Sequence, residues 1–296
     1  MKVTWLPDAE PRERRVAVGE FDGVHLGHRA VIGDADTVLT FEPHPRAVVA
    51  PDAAPKLITP LPVKADVIEG LGVREVVVIP FDREFAAQSP QDFIDDVLIG
   101  ALGAIEVRVG ENFRFGHKAS GDVALLREQD AFTTRVAEMV EVDGEIVSST
   151  HIRGLIVAGE IEKANSFLGL PYHLRGEVRH GDQRGRTLGF PTANIVPDNA
   201  LVYPGNGVYA CRAALETEGE WQWWPAAVSV GVRPTFVTGR GVLIEAYLIG
   251  YEGDCYEQEL RLAFLRRLRG EKRFDSAEAL VEQMHRDVED ARALAA

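Results

Sequence analysis

Cysteine is nearly absent from this sequence: Cys211 and Cys255 are the only two in 296 residues. Two thiols cannot build a disulfide framework or a four-thiolate zinc site, and such sparing use fits a reducing compartment. Long apolar runs are missing as well. None approaches the roughly eighteen residues of a membrane-spanning helix. Where a secretory leader would need an apolar core, the chain has Asp8, Glu10, Arg12, Glu13, Arg14 and Arg15. Basic residues are in deficit, 32 Lys+Arg against 46 Asp+Glu, for a formal net charge of −14. Polyphosphate backbones attract a surplus of Lys and Arg, so a general nucleic-acid or anionic-membrane binder is disfavoured. One nucleotide held by a local site is still allowed. Internal repeats and low-complexity tracts are absent too. The expectation is a cytoplasmic protein with neither nucleic acid nor membrane as partner.

What is present is ordinary globular material, 46% hydrophobic and 26% charged. The length accommodates two domains of moderate size. In the first half, β-branched runs at Val16–Gly19, Thr37–Phe41, Glu75–Ile79 and Ile105–Val109 alternate with helical patterns at Val63–Leu71, Pro90–Leu102 and Val123–Gln129. Ser89 suits the N-cap of the second helix, Pro90 its first position and Gly103 its stop. Alternating strands and helices predict βαβ units around a parallel sheet. A helical stretch follows over about 150–167. After Gly169-Leu170-Pro171, strand-like runs succeed one another without a long helix: Val208–Leu215, Ala226–Val232, Val242–Tyr251 and Glu259–Phe264. That pattern predicts an antiparallel sandwich or barrel. A closing helix over Ser276–Ala293 has Asp275 as its N-cap candidate and Glu278 three residues on. Charge changes at the same place, with net −11 over residues 1–170 and net −3 over 171–296. Two domains, 1–170 and 171–296, are therefore expected.

Gly19-Glu20-Phe21-Asp22-Gly23-Val24-His25-Leu26-Gly27-His28 follows the first of these strands and opens a helix. Helix-terminal N–H groups favour anions at that position of an α/β fold. His25 and His28 are one turn apart and face the same way. They can donate hydrogen bonds to a nucleotide phosphate, or they can be a plain helix start. Neither G-x-G-x-x-G nor a Walker motif is present here. Ser148-Ser149-Thr150-His151-Ile152-Arg153 reads either as a capping run or as a phosphate site with Arg153 one turn on. Gly110-Glu111-Asn112-Phe113-Arg114-Phe115-Gly116 leaves a strand end, where α/β sheets bind ligands. Asn112 can read a base or ribose there, or simply relieve a turn. Phe41-Glu42-Pro43-His44-Pro45 fixes His44 at a strand tip. A zinc site from His25, His28, His44 and Asp22 is the weaker alternative, because H-E-x-x-H is lacking.

In the second half, Arg184-Gly185-Arg186-Thr187-Leu188-Gly189-Phe190-Pro191-Thr192-Ala193-Asn194 reads as a flap over phosphates or as a turn with solvated arginines. Thr192 and Asn194 are neutral oxygen donors on one face of an extended segment. Magnesium bound mainly through substrate phosphates needs only one or two such protein ligands. Glu245 interrupts the apolar run Val242–Ile249. Such a carboxylate serves either as a general base for a hydroxyl or as a buried partner for Arg233.

Together these motifs resemble the bacterial bifunctional riboflavin kinase/FAD synthetases. The match runs through G-x-F-D-G-x-H-x-G-H, T-F-x-P-H-P, G-x-x-F-x-F-G and S-S-T-x-x-R. It continues through R-G-R-x-L-G-F-P-T-A-N, with Gly231–Phe236, Ile244-Glu245 and Phe264–Glu271 downstream. The order is kept over nearly the whole chain. The resemblance implies a Rossmann-like nucleotidyltransferase domain followed by an antiparallel β-barrel kinase domain with a terminal helix. It implies phosphorylation of riboflavin to FMN and adenylylation of FMN to FAD, each with ATP and magnesium. It places Gly19, Phe21, Asp22, Gly23, His25, His28, Asn112, Ser149, Thr150 and Arg153 at the adenylyltransferase nucleotide. It places Arg184, Gly185, Arg186, Gly189, Pro191, Thr192, Asn194 and Arg233 at the kinase substrates. It implies that Thr192 and Asn194 hold magnesium and that Glu245 is the base. There are departures. Only the twelve residues Arg29–Thr40 separate His28 from Phe41, so the first helix is expected to have one or two turns and to cover the sheet thinly. Glu20 stands where the family often has Asn, and Cys255-Tyr256-Glu257 replaces a more usual Leu-Tyr-Gly. A kinase with a weakened adenylyltransferase domain is the alternative.

Overall fold

The structure, a computed structural model, describes residues 1–180, 189–195, 198–233 and 241–295. By contacts the chain forms two compact units, Met1–Ser149 and Thr150–Ala296. Among the described residues no helix is long and apolar enough to cross a membrane.

The first unit is built on β1 (Lys2–Trp5), β2 (Arg14–Val18), β3 (Thr37–Glu42), β4 (Glu75–Pro80), β5 (Ala104–Gly110) and β6 (Thr133–Ala137). They form one sheet in the order β1-β4-β3-β2-β5-β6, with every neighbouring pair parallel. Its helices are α1 (Leu26–Ile32), α2 (Pro45–Val49), α3 (Leu61–Glu69), α4 (Pro90–Asp92 with its continuation Phe93–Ala101) and α5 (Val123–Arg127). A two-strand ribbon, β7 (Glu141–Val142) with β8 (Glu145–Ile146), closes the unit.

Strand alternation sends Val16 and Val18 to one face of the sheet and Ala17 to the other. On the first face they pack with Val77, Ile79 and the α4 residues Ile94, Val97 and Leu98. On the second, Ala17, Val38, Val76 and Val78 pack with Val31 and Ile32 of α1 and Ile68 of α3. Burying each of these Val, Leu and Ile side chains stabilises by about 1.5–3 kcal/mol. Helix α4 starts at Pro90–Asp92 under the expected Ser89 cap, a reciprocal capping box with Asp92. It continues as a π-helix over Phe93–Ala101 and stops before Gly103.

The short crossover is real. Helix α1 has 7 residues, and a cavity of about 330 Å³ lies between it and β5 and β6. A side chain does the work of the missing turn. Arg108, 9% exposed, bonds Glu106 at 2.6 Å and also Asp34 beyond the end of α1. Gly33 ends α1 at φ +50°, and a Cβ there would lie 2.4 Å from Arg108 Nη1. The backbone conformation demands glycine at this point, and a side chain there would also displace the Arg108 guanidinium.

The second unit begins with α6 (Ser149–Ala158), of which Ser149 itself counts with the first unit, and α7 (Ile161–Leu168). The single helix expected over 150–167 is therefore two, broken at Gly159 with φ +78°. A Cβ at Gly159 would come within 2.8 Å of the Tyr209 hydroxyl, so a straight helix with an ordinary residue does not fit. The barrel is closed, in the order β10-β13-β12-β11-β14-β9, and antiparallel throughout. Its strands are β9 (Tyr172–Arg179), β10 (Ala193–Ile195), β11 (Gly207–Thr217), β12 (Glu220–Arg233), β13 (Gly241–Leu248) and β14 (Glu259–Arg269). The closing helix α8 (Ala277–Ala295) packs on β11, β12 and β14. Ser276 caps it by accepting from Ala279 N–H at 3.2 Å, in place of the expected Asp275.

Candidate functional site

The turn from β2 into α1 is held from beneath. Asp22 is 1% exposed, and its carboxylate accepts from Ile58 N–H at 2.9 and 3.1 Å and from Thr59 N–H at 2.9 Å. Thr59 Oγ1 in turn accepts from Gly23 N–H at 2.8 Å. Phe21 and Val24 point into the core and adopt φ of 52° and 41°, a region that L-residues rarely occupy. The strain is carried by this buried tether, so Phe21 and Asp22 here shape the turn from the inside. Asp22→Ala is expected to leave the buried N–H groups of Ile58 and Thr59 without their acceptor and to destabilise the first unit by about 3 kcal/mol. Calorimetry should show the unfolding of the first unit moved to lower temperature.

His25, 5% exposed, caps α1, and its Nδ1 accepts from His28 N–H at 3.2 Å. That bond fixes the neutral tautomer with its proton on Nε2. The two imidazoles stack with centroids 3.5 Å apart and planes 16° from parallel. Phe21 meets the His28 ring edge-on at 5.3 Å. A Cβ at Gly27 would sit 3.2 Å from the His25 ring, so glycine lets the pair close up. Ser149 Oγ donates to the Asp22 carbonyl at 2.8 Å, which brings the serine run to this turn. Thr150 is exposed and Arg153 half-buried, both farther along α6 in the second unit.

Beside the turn, at the carboxyl edge of the sheet, lies a cavity of about 1120 Å³ that Gly19, Glu20, His44 and Asn112 help to line. Its wall is a chain of phenylalanines, Phe41, Phe81, Phe85, Phe93, Phe115 and Phe113, with successive ring centroids 5.4 to 6.3 Å apart. Arg46, Arg83, Arg114 and Lys118 add positive charge at its margin. Asn112 is exposed, and its Nδ2 donates to Met139 Sδ at 3.6 Å. His44 caps α2 by accepting from Arg46 N–H at 3.0 Å. Phe81, Phe85, Arg83 and Lys64 were not singled out from sequence. For the first three the signal was position alone, since Phe81-Asp82-Arg83-Glu84-Phe85 leaves the carboxyl end of β4, and Lys64 on α3 carried none. Among the described residues no group of three or more His, Cys, Asp or Glu is arranged to hold a metal ion, so the zinc alternative gains no support.

In the second unit the barrel brings Asn194 and Glu245 directly opposite each other on β10 and β13. Alternation turns both away from the interior, where Ala193 pairs with Ala246 and Ile195 with Ile244. Asn194 is 6% exposed. Its Nδ2 donates to the Thr192 carbonyl at 3.5 Å, while Oδ1 is buried without a hydrogen-bond partner. Such an acceptor is costly to leave unmet, and a neutral oxygen is a fitting donor to a hard divalent cation. Thr192 and Pro191 border a cavity of about 540 Å³ with Tyr251, Asp254 and Tyr256. Phe190 packs against Tyr247 and against His285 of α8, at 5.3 and 5.0 Å. Gly189 is exposed with φ +87°. Arg184, Gly185 and Arg186, and the side chain of Arg233, lie outside the described residues. Burial pushes the thiols of Cys211 and Cys255 up, so neither offers a ready thiolate.

Comparison with known proteins divides the chain in the same way. A family model described as FAD synthetase matches residues 8–151, and one described as riboflavin kinase matches residues 168–295. The bifunctional riboflavin kinase/FMN adenylyltransferase of Bacillus subtilis is 38% identical over 292 residues, covering 93% of this chain and 90% of its own. Its namesake in Pseudomonas fluorescens is 36% identical, covering 99% and 97%. A crystal structure described as a macrolide-efflux protein from Streptococcus pneumoniae superposes with a TM-score of 0.87 at 28% identity, covering 99% of both chains.

Proposed function

Since this chain belongs to the bifunctional riboflavin kinase/FMN adenylyltransferase family, we propose that it makes FMN from riboflavin and ATP, then FAD from FMN and a second ATP. Residues 1–170 are assigned the adenylyl transfer and 171–296 the kinase step. The observation that carries the proposal is the pairing of Asn194 with Glu245 on adjacent barrel strands. It sets a base beside a ligand for a phosphate-bound cation.

In the kinase step the Glu245 carboxylate takes the proton from the ribityl 5′-hydroxyl of riboflavin. That oxygen forms its bond to the γ-phosphorus as the bond to ADP breaks. Asn194 Oδ1 and the Thr192 hydroxyl would hold magnesium, which neutralises phosphate charge when bound. Rigid strands supply the positioning that phosphoryl transfer mainly requires.

In adenylyl transfer a phosphate oxygen of FMN attacks the α-phosphorus of ATP, and pyrophosphate leaves with the bonding pair. His25, through Nε2–H, and His28 donate hydrogen bonds to the α-phosphate as its charge builds. The phenylalanine wall matches the flat, apolar ring system of a flavin, and the cationic margin matches its phosphate. Gly19, Gly23, Asn112, Ser149, Thr150 and Arg153 are assigned to the nucleotide. Small soluble substrates accord with an acidic chain, and we place the work in the cytoplasm.

Incubation with riboflavin and Mg–ATP, followed by separation of flavins, tests both halves. Successive appearance of FMN and FAD is expected. FMN accumulating without FAD would establish the kinase-only alternative, and absence of FMN would refute the proposal.

A further inference from the structure

Phe21 holds a φ of 52°, a region that an L-residue keeps only where its surroundings over-determine it. The Asp22 tether acts from one side of this residue. On the other side, the planar peptide between Glu20 and Phe21 turns with the φ of Phe21. Whatever grips the Glu20 carbonyl therefore also fixes that angle. Two donors grip it, Lys64 Nζ at 2.6 Å and Thr40 Oγ1 at 3.1 Å.

Lys64 lies on α3 and is 2% exposed. Its ammonium has three protons and meets three acceptors: the Glu20 carbonyl, Thr40 Oγ1 at 3.3 Å and Glu20 Oε1 at 3.4 Å. Thr40, fully buried in β3, joins the end of that strand to the same carbonyl. Lys64 and Thr40 do not line the phenylalanine-walled cavity, so neither meets a substrate there. A buried ion pair is a poor source of stability, because apolar side chains of similar volume commonly do as well. What this lysine adds is a fixed geometry, and the geometry matters through the Phe21 ring. That ring is 1% exposed, and a Cβ at Gly19 would lie 3.0 Å from its Cζ. It meets the His28 ring edge-on at 5.3 Å, and His28 stacks on His25 at 3.5 Å. A flip of the Glu20–Phe21 peptide would relieve the strain and carry the ring away from His28.

We propose that Lys64 is a positioning residue for adenylyl transfer: by holding the Glu20 carbonyl it keeps Phe21 in its strained conformation, with its ring against His28, and so holds the His28 imidazole in place. The assignment rests on the first unit transferring adenylyl groups with His25 and His28 as donors. Lys64 touches no reacting atom. It acts through one peptide unit and one ring.

The test is Lys64→Met in the full chain, a side chain of similar length without the ammonium. Two measurements read it: steady-state FAD formation from FMN and Mg–ATP, and the NMR resonance of the His28 Cε1 proton, identified by its absence in His28→Gln. Both are made well below the unfolding temperature. In Lys64→Met, kcat and kcat/KM are expected to fall together by about 10²-fold, the cost of a misplaced group rather than of lost binding. The His28 resonance, which the neighbouring rings shift, is expected to move. Thr40→Val removes the second donor to the carbonyl without changing any charge. It should move the resonance the same way and lower kcat by roughly 3- to 10-fold, as for one neutral hydrogen bond. It also decides the matter if Lys64→Met does not fold. Glu20→Gln ends the ion pair but keeps both bonds to the carbonyl, so the resonance should stay in place. A lowered unfolding temperature with unchanged kcat and an unmoved resonance would show a purely structural lysine and overturn the proposal. So would a loss confined to KM, or a resonance that Glu20→Gln moves as far as Lys64→Met does. In each of these cases continued FAD formation by the wild type leaves the adenylyltransferase assignment standing. If the wild type forms no FAD from FMN, that assignment fails and this proposal with it.

Discussion

Replacing Glu245 by Ala is expected to abolish FMN formation from riboflavin, lowering its rate by about 10²–10⁴-fold, the usual contribution of a positioned general base. Conversion of supplied FMN to FAD should continue at the wild-type rate. The reasoning is geometric. Glu245 lies within β13, paired with Asn194 on one side and Ser229 on the other. Its side chain points away from the barrel interior, so truncation removes a carboxylate without opening a cavity in the core. Glu245→Gln sharpens the test, because it keeps shape and hydrogen bonding yet cannot take a proton. Separate assays started from riboflavin and from FMN, with flavins resolved by chromatography, provide the readout. Comparable FMN formation in Glu245→Gln and wild type would rule out the base assignment.

His28→Ala is expected to do the reverse. FAD formation should fall by about 10²–10³-fold, as when one donor to developing charge is removed, while riboflavin is still phosphorylated. The variant takes away the ring stacked on His25 and met edge-on by Phe21. The His28 backbone N–H still donates to His25 Nδ1, so the cap of α1 survives. Loss is therefore expected in the rate and not in the folding of the first unit, which circular dichroism would check. Disappearance of both activities in either His28→Ala or Glu245→Ala would contradict two independent sites.

Legibility in the sequence followed whether a signal was local. Strands β2 to β5 were readable because each is rich in β-branched residues, most of them buried on both faces. Edge strand β1 was not, since Val3 and Trp5 are 46% and 42% exposed and carry no burial pattern. Strand β9 was missed because Tyr172–Arg179 interleaves charges and a glycine with its apolar residues. The motif loops stood out through their glycines, prolines and histidines. What bound them together did not. Asp22 meets Ile58 and Thr59 across 36 and 37 residues of sequence, and Lys64 reaches Glu20 across 44. The phenylalanine wall draws on the ends of three strands and on α4, so no window of sequence contains it.

The closed barrel has one more effect, on how the two activities fail under heat. A cyclic ladder has no edge from which to fray, and Asn194 and Glu245 share one rung of it. The spacing between the proposed base and the proposed cation ligand is thereby tied to the most cooperative opening event of the second unit. The β2–α1 turn is different. It is a strained loop held by a few side-chain bonds around Asp22 and Gly23, and it can come loose while the sheet behind it stays paired. Thermal inactivation would then separate in time, with adenylyl transfer lost gradually and kinase turnover ending abruptly when the ladder opens.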